Sequence, residues 1–287
     1  MGLQPARAGE KGTGSAGTAR LLLLLITFSA SASGQITTLP LSPAWWTPAV
    51  PMTHEPLSLA LAAAASGPAA LTDARVTTAL AGYLATLAEG GPASDGAFFP
   101  EEADALVFFV NAHVAWTLAL GSDTRLADAS VTTLRVTPFP LARGMMTLSQ
   151  LVGEVWRRAP HEPRLVLFLN PGWRGGPPLP LSALEGHSLS WQLNEHARRC
   201  GAVPGFWTLD RARRTLALSA VADLMWALPA DAAGRFRAVL DLVPPPGDVR
   251  EAIRDTCGPS LQRCRLITTP LDQARLLQPS RAPEGRS

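Results

Sequence analysis

Apolar residues recur at helical spacing through Val76, Leu80, Tyr83, Leu84 and Leu87, with Thr72 or Asp73 placed to cap the first turn. A helix is therefore predicted from about residue 73 until Gly90-Gly91-Pro92 ends it. Pro100-Glu101-Glu102 opens a second helix, since Pro and acidic residues suit a first turn. Its body, from Ala105 to Leu120, is apolar nearly all round, as in a buried helix. Two short strands are read at Leu134–Thr137, which alternates, and at Leu165–Leu169, a continuous apolar run between Pro163 and Pro171. Between them Thr147 caps a helix reaching Trp156. Phe206–Leu209 and Thr215–Leu218 flank the polar stretch Asp210–Arg214 and read as a hairpin. Helices are expected at Leu189–Cys200, Val221–Leu228 and Val249–Thr256, and a last strand at Arg265–Thr269. The pattern is α+β: helices packed on a small, mostly antiparallel sheet.

The chain divides into four parts. Arg7, Lys11 and Arg20 precede the run Leu21–Phe28, and small residues from Ser29 to Gly34 follow. A basic segment, a short apolar core and a small-residue exit are the parts of a secretory leader, assigned to residues 1–34. The apolar run falls short of the roughly 20 residues that a spanning helix needs. An uncleaved anchor is the alternative, and no later segment is expected to span a membrane. Residues 35–70, rich in Pro, Ala and Ser, read as a lead-in anchored by Trp45-Trp46, with a short Ala-rich helix near Leu57–Ala65. The globular domain is expected over 71–277, and residues 278–287 as a disordered tail.

Charge and cysteine content narrow the possible partners. Removing residues 1–34 takes the 25 basic and 23 acidic side chains to 22 of each. A domain without a basic excess lacks the charge that nucleic-acid binding draws on, so no nucleic-acid partner is expected. The three cysteines are Cys200, Cys257 and Cys264. Export places them in an oxidising compartment (extracellular, periplasmic or the secretory lumen), where Cys257 and Cys264 can staple a short loop and leave Cys200 unpaired. Their spacing matches no zinc pattern, and no phosphate loop or serine elbow is present, so neither metal nor cofactor is expected.

The order of segments resembles the family known as domain of unknown function 547. Ala105-Leu106-Val107-Phe108-Phe109-Val110-Asn111-Ala112-His113 is similar to that family's apolar helix, written A-F-W-I-N-A-Y-N-A, and Thr147–Leu151 to its following S-L-D-D-I-E element. Pro163-Arg164-Leu165-Val166-Leu167-Phe168-Leu169-Asn170-Pro171-Gly172 resembles P-R-I-H-F-A-L-N-C-G, Gly176-Pro177-Pro178 a C-P-P, and Pro270-Leu271-Asp272 a terminal P-Y-D-W. The resemblance spans about residues 71–277. It implies a papain-like or transglutaminase-like fold with a Cys, a His and a Glu at the site. Here those positions hold Pro171, Val166 and Val152, the second family Cys falls on Gly176, and the Tyr-Asn of the helix on His113-Val114. None of the three replacements carries a proton or a charge, so the mechanism they would serve is lost. Asn111, Asn170, Gly172, Pro177 and Asp272 are retained, and the first four read as scaffold.

Three functional classes follow. The leading one is an exported, catalytically inactive relative of cysteine hydrolases in which the old catalytic cleft is retained as a binding or structural module for an unidentified protein or small molecule. The second is an active thiol hydrolase with a relocated site, in which Cys200 pairs with His196 or His187. His196 and Cys200 stand at i and i+4 on one helix face, and such a pair requires a partly exposed, reactive thiol. The third is a purely structural or interaction protein that shares only a core with the family, with no cleft where residues 152, 166 and 171 converge. Glu195-His196 lacks the second histidine of a zinc-protease helix, and His113 in its apolar helix reads as a core histidine.

Overall fold

The computed structural model describes residues 52–95, 98–99 and 101–277. The leader at 1–34, the lead-in as far as residue 51 with Trp45-Trp46, Pro100 and the tail at 278–287 lie outside the described residues. The short Ala-rich helix expected near Leu57–Ala65 is present, but it belongs to the domain and not to a lead-in. Helix α1 spans Glu55–Ser66, and its Leu57, Ala60 and Leu61 are wholly buried in the core, so the globular unit starts before Leu71. Its Ala-rich face carries little amphipathic signal because small residues fill both the inner and outer positions.

Helix α2, Ala74–Glu89, starts at Asp73, whose carboxylate accepts from the Arg75 and Val76 amides. It buries Val76, Leu80, Tyr83 and Leu87, the stripe that the spacing marked. Helix α3, Glu102–Ser122, opens with a capping box between Glu101 and Asp104 and runs through the centre of the domain. By length and composition α3 meets the requirement for a membrane span, contrary to the expectation that nothing after the leader does. Most of its surface is covered by protein, which is what an all-round apolar helix needs in a domain core.

Two segments read as strands are helical. Residues 131–136 form the short helix α4, Val131–Val136, because Ser130 accepts from the Thr133 amide and Val131 and Leu134 point inward together. Residues 163–168 form a 3-10 segment, Pro163–Phe168, started by Pro163 and by the Glu162 carboxylate on the Arg164 amide. A run buried on every side reads alike as strand or helix, so periodicity carries no vote there. The helix expected at Val221–Leu228 is reduced to a 3-10 turn, Ala220–Leu224, after which Met225 is extended and Ala227 takes a positive φ of 59°.

A hairpin absent from the sequence reading joins β1, Phe139–Leu141, to β2, Gly144–Met146. Its turn is Ala142-Arg143, both at positive φ (50° and 62°), so the usual Asn-Gly signature is missing. The two turn amides donate to the carbonyls of Leu87 and Ala88, satisfying the C-terminal end of α2. Helix α5, Leu148–Arg158, begins with a capping box between Thr147 and Gln150 and packs on α3. Helix α6 spans Leu189–Gly201. The second sheet holds β3, Trp207–Asp210, antiparallel to β4, Thr215–Ser219. Two helices, α7 (Ala232–Leu242) and α8 (Gly247–Cys257), then carry the chain to β5, Arg265–Thr269. This crossover makes β5 parallel to β4, in register at Ala217 and Ile267. The class is α+β, with helices around two small, mostly antiparallel sheets. Cys257 and Cys264 are joined in a disulfide that closes the turn between α8 and β5.

Candidate functional site

Of the motif positions that carry the resemblance, Asn111, Asn170, Gly172 and Pro177 are buried and Asp272 is exposed. Asn111 lies in the middle of α3, where its amide donates to the Leu184 carbonyl and its carbonyl oxygen accepts from the Leu184 amide, both at 2.9 Å. That exchange pins a loop 73 residues away onto the core helix. Asn170 is used up in the same manner. Its oxygen accepts from the Gly172 and Trp173 amides, and its nitrogen donates to the carbonyls of Trp173 and Pro177. Gly172 turns the chain at φ +96°, a region that favours glycine, and its carbonyl accepts from Leu276. Asp272 accepts from the Ala274 amide, while its own backbone carbonyl accepts from Gly175. Arg275 in the same segment donates to Gly121, Leu126 and Ala127 and closes the C-terminal end of α3.

The positions that the resemblance would assign to catalysis line none of the cavities described below, against the expectation of a retained cleft and in line with the purely structural reading. Val166 and Pro171 are buried and Val152 is half-buried. Five cavities on the described surface are lined by other residues. A methyl group placed on Gly176 would come within 2.6 Å of the Asn170 amide nitrogen, so the space a second cysteine would occupy is filled by Asn170. One helical turn apart in α3, His113 and Thr117 are buried with no partner among the described residues for either ring nitrogen or for the hydroxyl. Burial, reinforced by the nearby Arg135 charge, pushes the His113 imidazole down to about 3.

The relocated pair has the right spacing and the wrong setting. Cys200 is 0% exposed, and burial pushes its thiol up to about 12. His196 faces elsewhere: its Nε2 bonds the Leu167 carbonyl at 3.0 Å and its ring packs 4.2 Å from that of Phe168. Burial lowers it to about 4, partly offset by the Leu167 contact. Among the described residues neither His196 nor His187 forms a hydrogen bond with Cys200. The groove beside α6, lined by Phe168, Leu181 and Trp191, reaches His196 but not Cys200.

Open polar chemistry sits elsewhere, at the N-terminal end of α3. A cavity of about 230 Å³ is walled by His54, Glu101, Asp104, Glu185 and His187, with Phe99 on its apolar side. His54 precedes α1 and its Nδ1 lies 2.7 Å from the Tyr83 hydroxyl of α2. Burial lowers the His54 imidazole to about 4, against a smaller pull from Asp104, and burial raises the Tyr83 phenol with help from Glu185. Glu185 is itself raised by burial; His187 opposes that rise and Asp104 adds to it. The backbone of Gly186 packs so closely on the Asp104 carboxylate that no side chain fits there. By residue spacing His187 is a partner only for Cys200, and His54 falls in the lead-in. Nothing in their spacing links residues 54, 104 and 185.

No family model matches the sequence, and neither a curated protein nor a solved structure matches it.

Proposed function

We propose that this chain is an exported, non-catalytic binding or structural module, related by descent to the domain of unknown function 547 family. The observation that carries the reading is the burial of Cys200: the one free thiol among the described residues is sealed in the core and held protonated. A nucleophile needs a thiolate within reach of substrate and a base to form it, and neither requirement is met. Supporting this, the hydrogen bonds that the Asn111 and Asn170 side chains form among the described residues all go to backbone of the scaffold, and a side chain at Gly176 would collide with Asn170. Export is favoured by the leader pattern and by the Cys257–Cys264 disulfide, since such bonds persist in oxidising compartments.

The test is turnover. Purified full chain incubated with peptide, amide and ester substrates is expected to release product no faster than a blank, with no change on Cys200→Ala. Turnover that vanishes in the Cys200→Ala variant would establish the relocated hydrolase instead. Export is checked separately by N-terminal sequencing of secreted protein, which should begin near residue 35.

A further inference from the structure

The cavity at the head of α3 has the chemistry of a receptor for a small ammonium group. Tyr83 is 3% exposed, and its hydroxyl has a single hydrogen-bond partner among the described residues, Nδ1 of His54. A buried phenol without another acceptor donates there, because the reverse arrangement would strand its proton. Nδ1 then accepts, and the ring proton sits on Nε2. His54 is 6% exposed, it lines the cavity, and Nε2 has no partner among the described residues. A nine-tenths-buried imidazole at the cavity thus holds one N–H donor that no described residue uses.

Facing it is an excess of carboxylate. Glu101 and Asp104 each accept one backbone amide in the capping box of α3, which fixes their charge at the cavity. The Glu185 side chain forms no hydrogen bond or ion pair among the described residues, although its backbone amide is held by Gln192. An anion at this helix terminus would meet three carboxylates, and the capping box already occupies the Asp104 amide. A divalent cation finds no cluster of three suitably placed ligands among the described residues.

We infer that this cavity binds a small primary ammonium group that carries a neighbouring carbonyl, as at the free N-terminus of a peptide. The ammonium donates to Glu185 within the field of Asp104 and Glu101, and the carbonyl oxygen accepts from His54 Nε2–H. Phe99 offers an apolar wall to the first side chain. A volume of about 230 Å³ suits one or two residues and excludes a folded epitope. The inference rests on the non-catalytic reading, since it gives that module its ligand class.

Titration calorimetry of the full chain with alaninamide and with N-acetylalaninamide tests it. Alaninamide is expected to bind saturably, the acetylated amide at least tenfold more weakly, and Glu185→Gln to weaken alaninamide at least tenfold with an unchanged melting temperature. His54→Gln should also weaken it; if that variant fails to fold, Glu185→Gln carries the test. Equal binding of both amides, no saturable binding of either, or undiminished binding by Glu185→Gln overturns the site. Release of ammonia from bound alaninamide would support the site while overturning the non-catalytic reading, so the two fail separately.

Discussion

Helix α3 carries polar side chains at two places, and they have opposite fates. In its middle, Asn111, His113 and Thr117 are enclosed by α5, the 3-10 segment and the loops that Asn111 and Asn170 fasten down. At its N-terminal end, Asp104 stands with His54, Glu185 and His187 around an open cavity. The residue types are similar; access to solvent separates them. Enclosed polar groups either brace the fold or penalise it, and groups at the open end are available to a ligand. The Cys200–His196 pair shows the same lesson on α6, where adjacent spacing places both side chains in the interior.

The largest expected effect is on acid stability. Burial holds His54, His113 and His196 neutral, at about 4, 3 and 4, whereas each titrates near 6.5 when unfolded. The unfolded chain therefore binds more protons below pH 6.5, and stability falls with falling pH until the folded values near 4 are reached. Between pH 7 and pH 5 the loss is about 5 kcal/mol, a large share of a typical domain's stability. Urea unfolding at a series of pH values measures it, and a flat profile down to pH 5 would contradict the burial of these rings. His113→Leu removes one proton from that difference and two unpaired ring nitrogens from the core, so it should flatten the profile and raise stability at pH 5.

Next in size is Asn170→Ala, which strands four backbone partners and is expected to cost about 3 kcal/mol by chemical denaturation. A loss below about 1 kcal/mol would mean that the 170–177 turn is not a brace. Replacing both Cys257 and Cys264 by Ser opens a loop with a sequence separation of 7 and should cost about 2.5 kcal/mol. At the open end the expectation reverses. Glu185→Gln should move stability by no more than about 0.5 kcal/mol, because among the described residues that carboxylate has no hydrogen-bond or ion-pair partner to lose. A large destabilisation there would turn the cavity from a ligand site into another brace.

Much of this framework is legible in the chain and some is not. The α2 stripe of Val76, Leu80, Tyr83 and Leu87, the Thr147 start of α5 and the β3–β4 hairpin follow from periodicity and capping, which are local. The turn at Ala142-Arg143 is set instead by the α2 carbonyls it satisfies, and the Pro163–Phe168 segment by burial on all sides. Neither cause is local. Asn170 as a brace was within reach of sequence reasoning, because its partners lie within seven residues. The His54–Tyr83 pair was not, since 29 residues and the packing of α1 on α2 stand between them. His187 lies with Glu185 at the cavity, while Cys200, its partner by spacing, is buried in the core.

The most direct measurement is alkylation of the native full chain with excess iodoacetamide at pH 8, without reductant, followed by intact mass. With Cys257 and Cys264 joined, Cys200 is the only thiol available to react. The expected result is no adduct on the folded protein and a single adduct once it is denatured. Rapid addition of one adduct to the folded protein would show an accessible, reactive thiol and contradict the non-catalytic account.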